Sequence, residues 1–455
     1  MYNTKRKVTF SFMFKNFKRD IFPLAWPIFI EIGLFMIMGN IDVVMLSRVG
    51  ETVVSAVGNM NQMFNLTALM FSVVTSASAI LISQSIGAKK TSELPTIVSL
   101  AFVLNISFAL ILGVGVIFFG SAFLSLINVP VESILVGRGY MMIVGSTLFV
   151  HAGTLVLTTT LRAHKYTKEV MYISVFMNIL NVIGNYTFLF GPLAYLNMGV
   201  VGVALSTALS RSIGLLLNYR LCGRLVHFTP RLRHLKSVSK DLFVKMIRLG
   251  SPAAIEPLSY QLVQVIMFSY INSYGHVAIN TRVYVQTATW FVYLAVLAIA
   301  QASLIVVGER IGQNRSNEAR IMVFNNLKIS LMISLTMSLF LAINSRFFIG
   351  LFTDNEAILQ LASTILWIDV ILEIGRTFNL VLILSARGAG DVKFPMMIAI
   401  IVMWIVGLGV GVTLATVFNL QLIGIWIGLT FDEWVRGFLM MLRWRGEKWK
   451  RFKMV

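Results

Sequence analysis

Twelve apolar runs, each long enough to cross the hydrocarbon core of a bilayer, follow one another along this chain of 455 residues. They lie near 21–46, 56–83, 96–119, 134–160, 169–190 and 198–219, then near 247–271, 282–307, 321–343, 358–384, 394–417 and 422–442. About 20 apolar residues, rising 1.5 Å each, suffice for one spanning helix. A water-soluble fold is excluded: 57% of the residues are hydrophobic and only 13% charged, too few to cover the surface of a soluble protein of this length. The expected fold is an all-α polytopic membrane protein.

The net charge of +19 would suggest nucleic acid if it lay on a soluble face, but the basic residues sit between the apolar runs. Thirty of the 38 Lys and Arg fall in alternate segments: the N-terminus, 89–90, 162–168, 220–248, 310–320, 387–393 and the stretch from Arg443 onward. The other connecting segments hold only Arg48, Arg138, Arg282 and Arg346. This is the positive-inside pattern, which predicts an even number of spans, with both termini on the cytoplasmic side of the cell membrane. No small-residue cleavage site follows the first run, so it reads as a retained span. The single cysteine, Cys222, excludes an intramolecular disulfide and argues against a thiolate metal cluster. The expected organisation is a basic cytoplasmic segment (1–20), a six-helix lobe (21–219), a basic cytoplasmic linker (220–246), a second six-helix lobe (247–442) and a basic tail (443–455).

The halves repeat. A shift of 225 residues places Pro27 on Pro252, Glu31 on Glu256, Gly50 on Gly275, Gly87 on Gly312, Glu93 on Glu318, Arg162 on Arg387 and Lys168 on Lys393. Six spans per half is an even number, so the two lobes share one orientation and are expected to be related by a pseudo-two-fold axis along the membrane normal. Two matched bundles suggest a central cavity and alternating access.

Several local motifs fit one family. Asp42-Val-Val-Met45 followed by Gly50 and Gly58, the short loop Gly87-Ala-Lys-Lys90, Pro252 with Glu256, and Arg387-Gly-Ala-Gly-Asp391 occur in order along the chain. With the twelve spans and the basic linker, the sequence resembles the multidrug and toxic compound extrusion (MATE) family over essentially its whole length. The resemblance implies a secondary-active antiporter that exports organic, often cationic, compounds in exchange for Na⁺ or H⁺. It also implies that Glu256 and Asp42 occupy family acid positions, whereas the acidic position used by many members on span 10 is filled here by Arg376. A lipid-linked oligosaccharide or lipid flippase of the same wider superfamily is the alternative. The loop after span 2 does not match the Gly/Asp/Arg-rich loop of the major facilitator type.

Charged groups in hydrocarbon are costly and mark functional positions by default. Glu256, nine residues after an expected cytoplasmic entry near residue 247, lies about 13 Å into the bilayer. Asp369, Glu373 and Arg376 on span 10 are spaced i, i+4, i+7 and share a helical face with Asn379. Two carboxylates one turn apart in a low dielectric need a cation, and Arg376, a proton or Na⁺ can supply it. The repeat holds Val144, Leu148 and His151 at these places, so the acidic cluster belongs to the second half alone. The expected cation-coupling residues are therefore Glu256, Asp369, Glu373 and Asp42, with Arg376, Asn379 and Glu31 in the surrounding network. A closed structural salt bridge is the competing reading of the span 10 group. Asp432, Glu433 and Arg436 on span 12 are spaced for local ion pairing.

Asn40, Asn61, Asn65, Asn178, Asn181, Gln261 and Gln264 are the expected substrate-cavity residues, although amides at such depth more often bridge helices. The 24 Met and 33 Phe give adaptable apolar surface, most of it facing lipid or neighbouring helices. Enzymatic readings fare badly: no Gly-Lys dipeptide exists, so there is no Walker A loop, and the five histidines form no His-Glu-x-x-His motif. The expected partners are membrane lipid, a small-molecule substrate and a monovalent coupling cation, with no nucleic acid, no bound cofactor or metal, and no obligate protein partner.

Overall fold

The computed structural model describes residues 10–454 except Asn128, with side chains described from Met13 onward except those of Asn40 and Asn128. Lys5, Arg6 and Lys7 of the basic N-terminal segment, and Val455, lie outside the described residues. In chain order the α-helices are α1 (Phe10–Asp20), α2 (Phe22–Ser47), α3 (Glu51–Gly87), α4 (Leu94–Leu126), α5 (Val131–Ser146), α6 (Leu148–Ala163), α7 (Thr167–Leu189) and α8 (Gly199–Leu221). They continue with α9 (Lys240–Ser273), α10 (His276–Gly312), α11 (Ser316–Ile343), α12 (Ser345–Gly350), α13 (Glu356–Gly388), α14 (Lys393–Val402), α15 (Gly411–Thr416) and α16 (Gln421–Arg445). No strand occurs among the described residues.

Among the described residues, nine helical stretches are long and apolar enough to cross a membrane, and the pair α5–α6 makes a tenth. The last two of the twelve are α9 and α16, which carry more charge: Glu256 interrupts the first, and Asp432, Glu433 and Arg436 the second. The chain divides into two compact units. One comprises residues 30–85 and 90–254; the other comprises residues up to Phe29, Ile86–Lys89, and Ile255 onward. Met60, Phe71, Leu124, Tyr140 and Val203 are core residues of the first unit. The second holds two apolar clusters, one around Val307, Leu382, Trp444 and Trp449 and another around Met267, Val285, Ile365 and Ile425.

The run 134–160, expected as one span, is broken at Thr147 into α5 and α6, which meet at 46°. The cause is local: Thr147 Oγ1 donates to the Ile143 and Val144 carbonyls at 2.9 and 3.2 Å, and Ser146 Oγ donates to Ile143 at 2.9 Å. Such back-bonding competes with the backbone ladder and bends helices. Its counterpart α13 runs unbroken for 33 residues, so the repeat in sequence is not a repeat of helix shape at this position. Span 11 departs differently: α14 and α15 are joined by a π-helical segment, Met403–Val410. A Cβ on Gly428 of α16 would collide with the backbone of Gly411, so these two helices approach at a distance that only glycine permits.

The polar termini and linker are folded onto the bundle. In α1, Met13 and Phe17 are buried while Lys15, Lys18 and Arg19 are exposed, and Asp20 pairs with Arg310 at 2.9 Å. The linker docks on the start of α4: Arg231 N–H donates to Ser99 Oγ at 3.0 Å, His234 Nδ1 lies 3.0 Å from the same oxygen, and Ser237 Oγ is 2.9 Å from Thr96 Oγ1. At the C-terminal end Trp449 packs against Trp444 in a tilted arrangement with centroids 4.4 Å apart, and Arg443 pairs with Asp391 at 2.8 Å.

Candidate functional site

Four helices of the second unit turn polar faces onto one cavity of about 570 Å³. Helical periodicity puts them there. Arg282, Gln286, Thr289 and Tyr293 recur at i, i+4, i+7 and i+11 on α10, and Asp369, Arg376, Asn379, Ile383 and Arg387 share a face of α13. From α16 come Trp426, Glu433 and Arg436, and from α9 Glu256, Tyr260, Gln261 and Gln264. The sequence expectation placed Arg282 in a connecting segment; it lies six residues inside α10 and lines the cavity.

The charges form a connected network. Arg376 pairs with Glu373 and lies 3.5 Å from Glu433 through Nε. Asn379 Nδ2 donates to Glu433 Oε2 at 2.7 Å. Arg436 pairs with Asp432 and, at 3.3 Å, with Glu433. The local pairing expected on span 12 is therefore present, but Glu433 also ties it to span 10, which i, i+4 spacing alone could not reveal. Asp369 is 2% exposed and accepts from Trp426 Nε1 at 3.0 Å. Its Oδ2, like Oε2 of the fully buried Glu373, has no hydrogen-bond partner. Unpartnered carboxylate oxygens in a low dielectric are costly unless a proton or metal cation meets them.

Glu256 lines the same cavity but is held by Arg387 Nη2 at 2.5 Å. Glu31 in the other unit makes the equivalent pair with Arg162 at 2.5 Å and also accepts from Ser174 at 3.2 Å. Asp42 accepts from Asn185 Nδ2 at 2.6 Å and feels the charge of Arg211. Asn181 donates to Thr207 at 3.2 Å, and Asn61 accepts from Tyr140 at 2.9 Å. These amides bridge helices of the first unit. Asn65 is exposed and Asn178 half-buried, also in the first unit, and the Asn40 side chain lies outside the described residues. Of the seven expected cavity amides, only Gln261 and Gln264 line the cavity of the second unit.

Sequence reasoning missed Trp426, Tyr260 and Tyr293 as wall residues and the pairing of Glu256 with Arg387. A signal for that pairing existed, since both of its members recur at the same offset of 225.

Against known proteins, the family model MatE matches residues 27–187 and 252–413, one copy in each half. The chain belongs to the MATE family. Similarity extends over 434 residues at 36% identity to the uncharacterized transporter YisQ of Bacillus subtilis (strain 168), covering 94% of each chain. The probable multidrug resistance protein NorM of Thermotoga maritima is 25% identical over 461 residues, 96% of each chain. A solved MOP superfamily transporter from Pyrococcus furiosus shares the fold with a TM-score of 0.86 at 19% identity, covering 96% of this chain and 97% of that one. This MATE protein is thus a multi-pass membrane transporter of small molecules and not an enzyme, as the resemblance implied.

Proposed function

We propose that this MATE transporter is a secondary-active antiporter that exports organic compounds in exchange for H⁺ or Na⁺ by alternating access. It sits in the cytoplasmic membrane with both termini and the 220–246 linker inside, and its lobes are residues 21–219 and 247–442. One observation carries the reading. Inside the second unit, Asp369 and Glu373 are buried with an unpartnered oxygen each; Arg376 is divided between Glu373 and Glu433, Arg436 is taken by Asp432 and Glu433, and no arginine pairs with Asp369 among the described residues. A cation arriving from either side of the membrane would neutralise that deficit, and its loss would restore it, which is what coupling to an ion gradient requires. Asp369 is the better candidate of the two, because its hydrogen bond comes from the neutral Trp426 and not from an arginine.

Proteoliposomes carrying a set of cationic, neutral and anionic fluorescent dyes test it, with ΔpH and ΔpNa imposed separately. Dye movement driven by one gradient, lost in Asp369→Asn, supports the reading. Movement that ignores both gradients, or that survives Asp369→Asn under the driving gradient, overturns it.

A further inference from the structure

The cavity of the second unit contains one arginine whose charge is left over. Arg376, Arg387 and Arg436 each pair with carboxylates. Arg282 has no carboxylate partner among the described residues: its Nη2 donates to the neutral Gln264 Oε1 at 2.7 Å, and its guanidinium lies 4.8 Å from the centre of the Phe268 ring. Its Nη1 is buried and has no hydrogen-bond partner among the described residues. An arginine held by an amide and an aromatic face, with one donor nitrogen unspent, is fixed in place and unneutralised; in a low-dielectric wall that arrangement costs free energy until an anion arrives. Further along the same face of α10, Trp290 and Tyr293 are stacked with centroids 4.8 Å apart, and both line the cavity.

We infer that Arg282 is an oxyanion subsite and that the cargo of this transporter is an aromatic or amphipathic organic carboxylate rather than a plain organic cation. The carboxylate meets the guanidinium of Arg282 where that residue lines the cavity, the buried Nη1 turning outward to donate, and the apolar body lies against the Trp290–Tyr293 pair. Gln264 and Phe268 are positioning residues: they hold the guanidinium without neutralising it, so its charge stays uncancelled. Asp369 lines the same cavity and remains free to hold the coupling cation. The inference deepens the antiporter reading by naming its cargo class.

The test is an equilibrium titration of the purified full-length protein in nanodiscs with three forms of one dye, read by fluorescence anisotropy and corrected against empty nanodiscs. The forms are 7-diethylaminocoumarin-3-carboxylate, its neutral methyl ester, and a trimethylammonium derivative of the same ring. The carboxylate is expected to bind at least about tenfold more tightly than the other two, the ratio that a hydrogen-bonded charge supplies. Arg282→Gln should remove that preference by weakening carboxylate binding far more than ester binding, and Arg282→Lys should keep part of it. Should Arg282→Gln fail to fold, Gln264→Ala, which loosens the guanidinium without removing it, should lower the preference severalfold. Equal binding of acid and ester, no carboxylate binding, or a preference untouched by these substitutions overturns the inference. No gradient is present, so the antiporter reading can fail in proteoliposomes while carboxylate selectivity stands, and the reverse.

Discussion

Arg387 and Glu256 sit 2.5 Å apart, and 225 residues earlier Arg162 and Glu31 sit 2.5 Å apart in the same pairing. In each case the carboxylate comes from the first span of a half and the arginine from the C-terminal end of the fourth. All four side chains are largely buried. Breaking such a pair leaves one charge stranded at a cost of about 3–5 kcal/mol, whereas removing both partners is far milder. Glu256→Gln and Arg387→Gln alone should therefore each lower thermal stability in detergent markedly, and the double substitution should recover most of the loss. Glu31 and Arg162 should give the same cycle. If Glu256→Gln keeps full stability and loses only ion-driven transport, Glu256 is a coupling residue first and a structural partner second.

Glu433 receives Asn379 and two arginines. Its removal breaks the ionic link between spans 10 and 12 and leaves the hydrogen bond from Trp426 to Asp369. Glu433→Gln should cut gradient-driven dye efflux at least about tenfold while leaving insertion intact, checked by initial rates at matched protein density. An unchanged rate would make the link dispensable.

Gly428 faces the backbone of Gly411 with no flexible side chain to give way. Gly428→Val should cost at least about 1–3 kcal/mol by overpacking, seen as earlier aggregation in a heated size-exclusion series. Gly33 has open space around its Cβ position, and Gly33→Ala serves as the control.

Thiol labelling checks the topology. Native Cys222 is buried, so an impermeant maleimide should leave it unmodified. A cysteine replacing exposed Lys236 should react only from the cytoplasmic side, and one replacing exposed Asp354 only from outside. Labelling of position 236 from outside would invert the whole arrangement.

His234 accepts at Nε2 from Arg233, 3.4 Å away, while Nδ1 meets Ser99. Partial burial, then Arg233 and Arg231, hold its pKa below the ordinary value near 6.5. The docked linker therefore favours the neutral ring. Its contribution is present above about pH 6.5 and fades as pH falls, because the undocked ring takes the proton first. Limited trypsin cleavage of the linker should rise between about pH 7 and 5.5, and His234→Gln should flatten that dependence.

The sequence determined the spans and the faces. Hydrocarbon accepts only long apolar helices, so twelve apolar runs fixed the number of spans, and the 3.6-residue period placed Asp369, Glu373, Arg376 and Asn379 on one side of α13. The repeat of 225 likewise marked Glu31, Glu256, Arg162 and Arg387 as equivalent positions. What lay across from each face was decided by packing between segments far apart in the chain. Arg387 meets Glu256 from 131 residues away, Trp426 meets Asp369 from 57, and Asn379 meets Glu433 from 54. No local periodicity encodes such a choice of partner. The same holds for Arg282, which as a sequence position looked like a charge near a loop and in the fold is a half-buried guanidinium with no carboxylate partner among the described residues. Local chemistry set which groups enter the membrane, and tertiary packing set which of their charges are cancelled.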